Sequence, residues 1–191
     1  MSMKLTTGIA VAVALIVTVY LFVFSGAVFT QKHTQDTAST ENLNLYANGT
    51  YGISFAYPET YVVSEGERGT PERPHYAIVL THQDDVDLPI GGEGPPTITL
   101  DVYANAQEKT LSTWLHTTPE SNLTLGDGAL EEMVLGKVPA LAYRWSGLYE
   151  GKSVALLHDG SVIVLSVTYL APEDAIVHDF DTVLRSLTLS D

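Results

Sequence analysis

The stretch VALLHDGSVIVLSVTYL at residues 154–170 predicts the centre of the fold. Two apolar runs flank the tetrapeptide HDGS (158–161), whose Asp-Gly pair can adopt the positive φ values of a type I′ turn. This pattern predicts a β-hairpin. Its second strand, residues 161–170, is almost wholly apolar, which is typical of a central strand covered on both faces.

Strand patterns continue on the N-terminal side of the hairpin. Residues 51–58 alternate with period two and end at Pro58, which cannot donate a hydrogen bond within a sheet. Residues 76–81 form a short apolar strand. One face of a further strand carries Leu141, Tyr143 and Trp145. Together with the hairpin, residues 140–170 therefore predict a meander of three antiparallel strands.

Residues 97–103 show the most regular alternation in the chain. The inward face of this strand would carry Ile98, Leu100 and Val102. Thr99 and Asp101 occupy the opposite face, so the pattern predicts that both side chains point outward.

Two helices are expected between and after these strands. Thr110 can cap a short helix that ends before Pro119 and carries, at helical spacing, Leu111, Trp114 and Leu115. The second helix is expected to have Pro172 in its first turn and Arg185 near its end. The acidic residues that would complement its dipole are Glu173 and Asp174. The apolar stripe that would lie on the sheet consists of Ile176, Phe180, Val183, Leu184 and Leu187.

These elements add up to an α+β fold, in which an antiparallel sheet is sandwiched by helices. Residues 187–189 can add a last short strand. No internal repeat is visible in the sequence.

The N-terminal segment has a different pattern. Residues 8–29 contain no charged side chain and are mostly apolar, and a bilayer core needs about 20 such residues in a helix. We therefore expect one transmembrane helix that anchors the protein, preceded by a short tip, residues 1–7. A cleaved signal peptide is the alternative, because Ser25 and Ala27 are small residues at the spacing that a signal peptidase reads.

The remainder divides into a polar, flexible linker, residues 30–44, and a folded domain, residues 45–191. The chain has 9 basic and 23 acidic side chains, a formal charge of −14, and all of the acidic ones lie beyond residue 29. A cationic tip tends to stay in the cytoplasm, so we expect a single-pass protein of the cell membrane with an extracytoplasmic domain. The excess of carboxylates excludes a nucleic-acid partner. The lack of cysteine excludes disulfides, thiol catalysis and thiolate zinc sites.

Two parts of the chain resemble the small PsbP-like domains of bacterial exported proteins. The first is the opening aromatic-Gly-apolar-x-Phe-x-Tyr-Pro at residues 51–58. The second is Leu148-Tyr149-Glu150-Gly151, followed by the hairpin, the long apolar strand and a helix that ends at residues 180–187. The resemblance covers residues 45–191 and implies an antiparallel sheet sandwiched between helices. The plant relatives are extrinsic proteins of photosystem II that assist ion retention, but no binding residue can be matched here.

The densest carboxylate cluster is Asp84-Asp85-Val86-Asp87, which precedes a glycine-rich stretch. Calcium takes about 6–8 oxygen ligands, so Asp84, Asp85 and Asp87 are calcium candidates. The closing Glu of the EF-hand pattern is missing, and a solvated hairpin tip is the alternative. His75 and His82 flank residues 76–81 and would point to opposite faces of the strand, which prevents them from sharing a metal. No cofactor is expected.

No motif of a nucleophilic enzyme is present: the chain lacks both Gly-x-Ser-x-Gly and Ser-x-x-Lys. The adjacent Glu131-Glu132 would diverge in a strand and could not act as an acid/base pair. Tyr103, Trp145 and Tyr149 can line a binding face, although aromatic residues in such a domain are more often core. The sequence therefore predicts a non-catalytic binding or assembly module with a protein partner at the cell surface. The alternative is a hydrolase-type enzyme, which a surface pocket converging on His and carboxylate side chains would favour.

Overall fold

The computed structural model describes residues 42–88 and 94–190. The expected N-terminal tip, the expected transmembrane anchor and most of the expected linker lie outside these residues. Within them, no helix is both long enough and apolar enough to span a membrane.

The described residues form strands, two α-helices and three short 3-10 turns. The strands are β1 Leu43–Asn48, β2 Ile53–Pro58, β3 Tyr61–Thr70, β4 Arg73–His82, β5 Thr97–Ala104, β6 Glu131–Leu135, β7 Val138–Ser146, β8 Glu150–His158, β9 Ser161–Tyr169 and β10 Thr188–Leu189. The helices are α1 Leu111–Thr117 and α2 Ala175–Ser186. The 3-10 turns are Gln83–Asp85, Pro119–Ser121 and Leu123–Leu125. The first strand thus begins within the last two residues of the expected linker.

Seven strands form one antiparallel sheet in the order β3-β4-β5-β9-β8-β7-β6. β9 lies at the centre of this sheet, as its apolar sequence predicts. β7, β8 and β9 are successive neighbours and form the predicted meander. At the tip of the β8–β9 hairpin, φ is 43° at Asp159 and 70° at Gly160, which confirms the predicted turn with two positive φ values.

One side of the seven-stranded sheet, here called the inner face, is covered by α2 and by a second sheet of order β1-β2-β10. The α+β prediction is confirmed, but the inner layer contains strands as well as the expected helix. The reason is that β2 pairs with β1 on one edge and with β10 on the other. The most deeply buried large side chains of this main core include Phe55, Ile78, Leu100, Leu165 and Phe180.

The opposite side, here called the outer face, is covered only in part. Thr110 caps α1 as predicted, since its Oγ1 accepts a hydrogen bond of 3.3 Å from the amide of Thr113. Trp114 and Leu115 of α1 are buried in a second, smaller core. With 7 residues, α1 is only about 10 Å long. It therefore leaves part of the outer face of β5 and β9 to loops and polar side chains.

The second helix begins later than the sequence predicts. α2 starts at Ala175, with Asp174 as its N-cap residue, so Pro172 and Glu173 precede the helix. The Asp174 carboxylate accepts hydrogen bonds of 2.9 Å from the amides of Leu170 and Ala171 instead of from the helix itself. These bonds stabilise the turn after β9 and delay the first helical residue. Arg185 lies in the last turn as predicted.

The prediction for Asp101 is right about the face of the strand but wrong about exposure to solvent. Ile98, Leu100 and Val102 are buried in the main core, so Asp101 does point to the outer face. Its side chain, however, is only 18% exposed and does not face open solvent. Glu120 and Asn122, from the loop after α1, line a pocket together with Asp101, and this pocket is the candidate site.

Candidate functional site

A polar pocket of about 210 Å³ lies on the outer face, between the sheet and the loop after α1; it is called the outer pocket below. β5 contributes four lining residues: Thr97, Thr99, Asp101 and Tyr103. β9 contributes three: Val164, Ser166 and Thr168. The remaining walls are formed by Trp145, Glu120 and Asn122.

The floor of the outer pocket follows from the register of β5 and β9. Asp101 is the partner of Val164, and Thr99 is the partner of Ser166, so these side chains share the outer face. At the end of the floor, Thr168 Oγ1 accepts a hydrogen bond of 2.9 Å from the Thr97 amide. Four hydroxyl side chains make this floor polar, although Val164 beside them belongs to the smaller hydrophobic core.

The indole of Trp145 is fixed by two features of the neighbouring strand. Gly151, its partner on β8, has no side chain, and a Cβ at this position would overlap the indole ring. The ring nitrogen donates a hydrogen bond of 2.9 Å to Ser153 Oγ. Ser153 Oγ in turn lies 2.8 Å from Ser166 Oγ, on the pocket floor. The backbone of β8 thus supports one side of the ring, and the hydroxyl pair sets its orientation.

Tyr103, which lines the outer pocket, belongs to a row of three packed rings. The imidazole of His75 stacks on Tyr103, with ring centroids 4.7 Å apart, and Tyr103 lies 5.1 Å from Trp114. His75 Nε2 is 3.4 Å from the Asp101 carboxylate. Burial raises the pKa of the Tyr103 phenol, and the carboxylates of Asp101 and Glu120 raise it further. The phenol is therefore neutral at physiological pH.

The two carboxyl groups of the outer pocket are in different environments. Burial raises the pKa of Asp101 above its ordinary value, although His75 and a hydrogen bond from Thr99 oppose this shift. One oxygen of Glu120 lies 2.5 Å from the Arg73 guanidinium. Its other oxygen, Oε2, is buried and has no hydrogen-bond partner among the described residues.

The loop that carries Glu120 is attached to the sheet by buried hydrogen bonds. Tyr143 on β7 donates a bond of 2.6 Å to the carbonyl of Ser121, and Ser121 Oγ donates one of 2.7 Å to the carbonyl of Leu115. Burial raises the pKa of Tyr143 to about 12, so it remains a donor. Asn122 ends the turn with φ 59°, a conformation that Asn tolerates well. The loop therefore holds Glu120 in place over the sheet.

The residues singled out from the sequence are only partly brought together. Tyr103 and Trp145 line the outer pocket, whereas Tyr149 donates a hydrogen bond of 2.6 Å to the carbonyl of Gly94. Sequence patterns missed Glu120 and the pairing of His75 with Asp101. The sequence feature that could have indicated the site is Asp101 itself, because it is an acidic residue in the middle of a regular strand.

The calcium candidates lie elsewhere. Asp84 and Asp85 belong to the turn Gln83–Asp85 after β4, and Asp87 follows it. Residues 89–93, which come next, lie outside the described residues. In residues 42–88 and 94–190, no group of three or more His, Cys, Asp or Glu side chains is arranged to hold a metal ion. The calcium assignment stays a prediction.

A larger groove of about 760 Å³ runs along the edge strand β6. Its lining is mainly aliphatic and includes Leu111, Met133, Val134, Leu141 and Leu157. Glu132 is the one charged residue of this lining. The groove therefore offers area for hydrophobic contact but few directional bonds, and the outer pocket has the richer chemistry despite its smaller volume.

Comparisons with known proteins identify the fold. No family model matches the sequence, and no curated protein matches it. Eleven chains of solved structures match. One is the solution structure of cyanobacterial PsbP (CyanoP) from Synechocystis sp. PCC 6803, with a TM-score of 0.53 and 16% sequence identity; the match covers 81% of this chain and 96% of that chain. The likeness confirms the PsbP-like fold.

Proposed function

We propose that this PsbP-like domain is a non-catalytic binding module, held at the outer surface of the cell membrane by residues 8–29. The observation that carries the proposal is the outer pocket, whose walls are fixed by hydrogen bonds within the domain. Pre-organised walls lower the entropy cost of binding. The uncharged N-terminal segment and the acidic domain support the membrane-anchored, extracytoplasmic placement.

The hydrolase alternative has an observation in its favour, since Asp101 and Glu120 line one surface pocket and His75 Nε2 lies 3.4 Å from the Asp101 carboxylate. The geometry of His75 opposes it. Nε2 faces Asp101, which leaves Nδ1 to take a proton from a nucleophile. Nδ1 is buried and has no hydrogen-bond partner among the described residues, and a Cβ at Gly69 would lie only 3.0 Å from it. No hydroxyl nucleophile can reach this nitrogen, so binding is the function that the pocket supports best.

The test of binding uses the full chain in its own membrane. A photo-cross-linking residue is placed at Asn122, on the rim of the outer pocket, and in a matched protein at Leu170, which is 71% exposed but does not line the pocket. We expect a discrete adduct from the Asn122 position that is lost in the Trp145→Leu background. The Leu170 position should give only a diffuse pattern. The same adducts from both positions would contradict the proposal.

The test of placement is separate. A tag at the C-terminus should be digested by protease added to intact spheroplasts, and the untreated chain should stay in the membrane after a carbonate wash. A protected tag would contradict the extracytoplasmic placement. Release by carbonate would contradict the anchor and favour a cleaved N-terminal segment.

A further inference from the structure

We infer that the outer pocket binds a small organic ammonium ion. This inference rests on the proposed binding function and adds the chemical class of the ligand. It is carried by the charge of the pocket, by its aromatic walls and by its size.

The charge of the outer pocket is negative and incompletely compensated. Its lining contains two carboxyl groups, those of Asp101 and Glu120, and no Lys or Arg. Arg73 reaches one oxygen of Glu120, and Oε2 has no hydrogen-bond partner among the described residues although it is buried. A buried acceptor without a donor is unfavourable. A cation in the pocket would lower this cost through the positive charge it places beside the carboxyl group.

The walls favour an organic cation. Tyr103 and Trp145 line the outer pocket, and Gly151 lies against one face of the indole, so the ring presents its other side to the pocket. Ammonium groups are attracted to ring faces, most strongly to that of Trp, and the indole is the ring that offers its face here, because Tyr103 is stacked on His75. The hydroxyls of Ser166 and Thr168 complete a lining that contains no group repelling a cation.

A metal ion fits the same lining less well. Calcium takes about 6–8 oxygen ligands, chiefly from carboxylates and carbonyls, and of these the pocket offers two carboxyl groups and the Asn122 amide beside its hydroxyls. Within the described part of the chain, no three His, Cys, Asp or Glu side chains form a metal-binding group. An ammonium ion needs fewer oxygen ligands than calcium, and it is also attracted to the face of the Trp145 ring, which is not a metal ligand.

The volume limits the size of the ligand. Typical pockets for drug-sized molecules measure about 300–1,000 Å³. At about 210 Å³, the outer pocket accommodates a small amine or a single ammonium group of a larger molecule. A free amine and the lysine side chain of a protein partner both carry this chemistry.

The experiment is calorimetric titration of the full-length chain in nanodiscs with choline, methylammonium and the neutral choline isostere 3,3-dimethyl-1-butanol. We expect saturable binding of at least one of the two cations and none of the alcohol. A blocked lysine, Nα-acetyl-lysine methylamide, distinguishes a free amine from the lysine side chain of a protein partner as the ligand. If it binds more tightly than methylammonium, a presented side chain is the ligand; if it does not bind, the ligand is a free amine.

Variants connect the binding to the pocket. Asp101→Asn should weaken cation binding by at least about tenfold, because it removes one of the two carboxylates that line the pocket. Trp145→Leu should weaken it several-fold through the lost ring face. Asp87→Asn makes the same charge change at an exposed site away from the pocket and should leave binding unchanged. Circular dichroism checks that each variant is folded.

Three results would overturn the inference: no binding of either cation, equal binding of choline and its neutral isostere, or unchanged binding in Asp101→Asn. None of them would refute the binding module itself, because the cross-linking from Asn122 tests that function without assuming a cation. Conversely, cation binding that depends on Asp101 would stand even if no partner were cross-linked in the membrane.

Discussion

The indole of Trp145 occupies the space above Gly151 that a side chain on β8 would otherwise fill. The two residues are direct partners across the β7–β8 ladder. This relationship explains the glycine that follows Leu148-Tyr149-Glu150 in the sequence. It also places a large ring at the edge of the outer pocket without a covering helix, because the ring is supported by backbone on one side and by Ser153 at its nitrogen.

We expect Gly151→Ala to destabilise the domain by about 1–3 kcal/mol, as overpacking of a filled site does. The added methyl group would push the indole away and break its hydrogen bond to Ser153. Urea unfolding measures the loss, and indole fluorescence reports the displaced ring. The matched control is Gly147→Ala, where a Cβ would meet only Leu125 at 3.9 Å. Equal stability of the two variants would contradict this account.

The buried carboxyl of Asp101 predicts a pH-dependent stability difference. Its folded-state pKa is raised above the ordinary value of 3.8, chiefly by burial, so the folded state binds more protons than the unfolded state in the window above that value. The contribution of Asp101 to stability therefore falls as pH rises through the folded-state pKa. Asp101→Asn removes this loss and should be more stable than the parent chain near neutral pH.

Urea midpoints measured for the Asp101→Asn variant and the parent chain across an acidic-to-neutral series provide the test. The advantage of the variant should shrink as the pH approaches 3.8 from above. Asp87→Asn, at an exposed position, is the control and should show no such trend. If the stability advantage of Asp101→Asn instead increased on acidification, the predicted raised pKa of Asp101 would be contradicted. Asp101→Asn is thus expected to raise stability near neutral pH but to weaken cation binding. Both results together would indicate that Asp101 serves binding and not stability.

A buried hydrogen bond connects β3 to the last helix. Tyr61 donates a bond of 2.7 Å to the carboxylate of Asp179, and both residues are buried. We expect Tyr61→Phe to lower the free energy of unfolding by about 1–3 kcal/mol, because the carboxylate loses a donor inside the protein. Tyr149→Phe removes an exposed hydroxyl bond to Gly94 and should cost less. If both changes cost the same, burial of the acceptor is not the source of the effect.

The main core lies between α2 and the inner face, so we expect Phe180→Ala to be among the most damaging single changes. Phe180 is 0% exposed, and replacing a buried Phe by Ala typically costs about 3–5 kcal/mol. Thermal unfolding with calorimetry measures the loss. Leu170→Ala, at a side chain that is 71% exposed, should change stability by less than about 0.5 kcal/mol. A small effect at residue 180 would contradict the assignment of the core.

Local patterns predicted much of the fold because their signals act over a few residues. The Asp-Gly pair at 159–160, the Thr110 cap and the alternation of residues 97–103 each specify one turn, one helix start or one strand, and the structure has all three. The start of α2 was predicted too early. There Asp174 bonds to the amides of Leu170 and Ala171, a choice between two local partners that composition does not reveal.

The candidate site, in contrast, depends on residues that are distant in the chain. His75, Asp101 and Glu120 lie on β4, β5 and the loop after α1, and no spacing rule relates them. Alternation placed Asp101 on the outer face but could not show that the loop would cover it. The sequence likewise left open whether Trp145 is a core or a binding-face residue, and only the structure shows that its ring lies over Gly151.

The sequence by itself determined the hairpin, the central apolar strand, the α+β class and the uncharged N-terminal segment, because each depends on neighbours in the chain. Only the tertiary structure decided that β1, β2 and β10 form a separate sheet, and that two carboxyl groups and two aromatic rings share one pocket. The physical reason is that burial, and with it the pKa of Asp101 and the unpaired oxygen of Glu120, is set by what packs over a residue and not by the residues beside it.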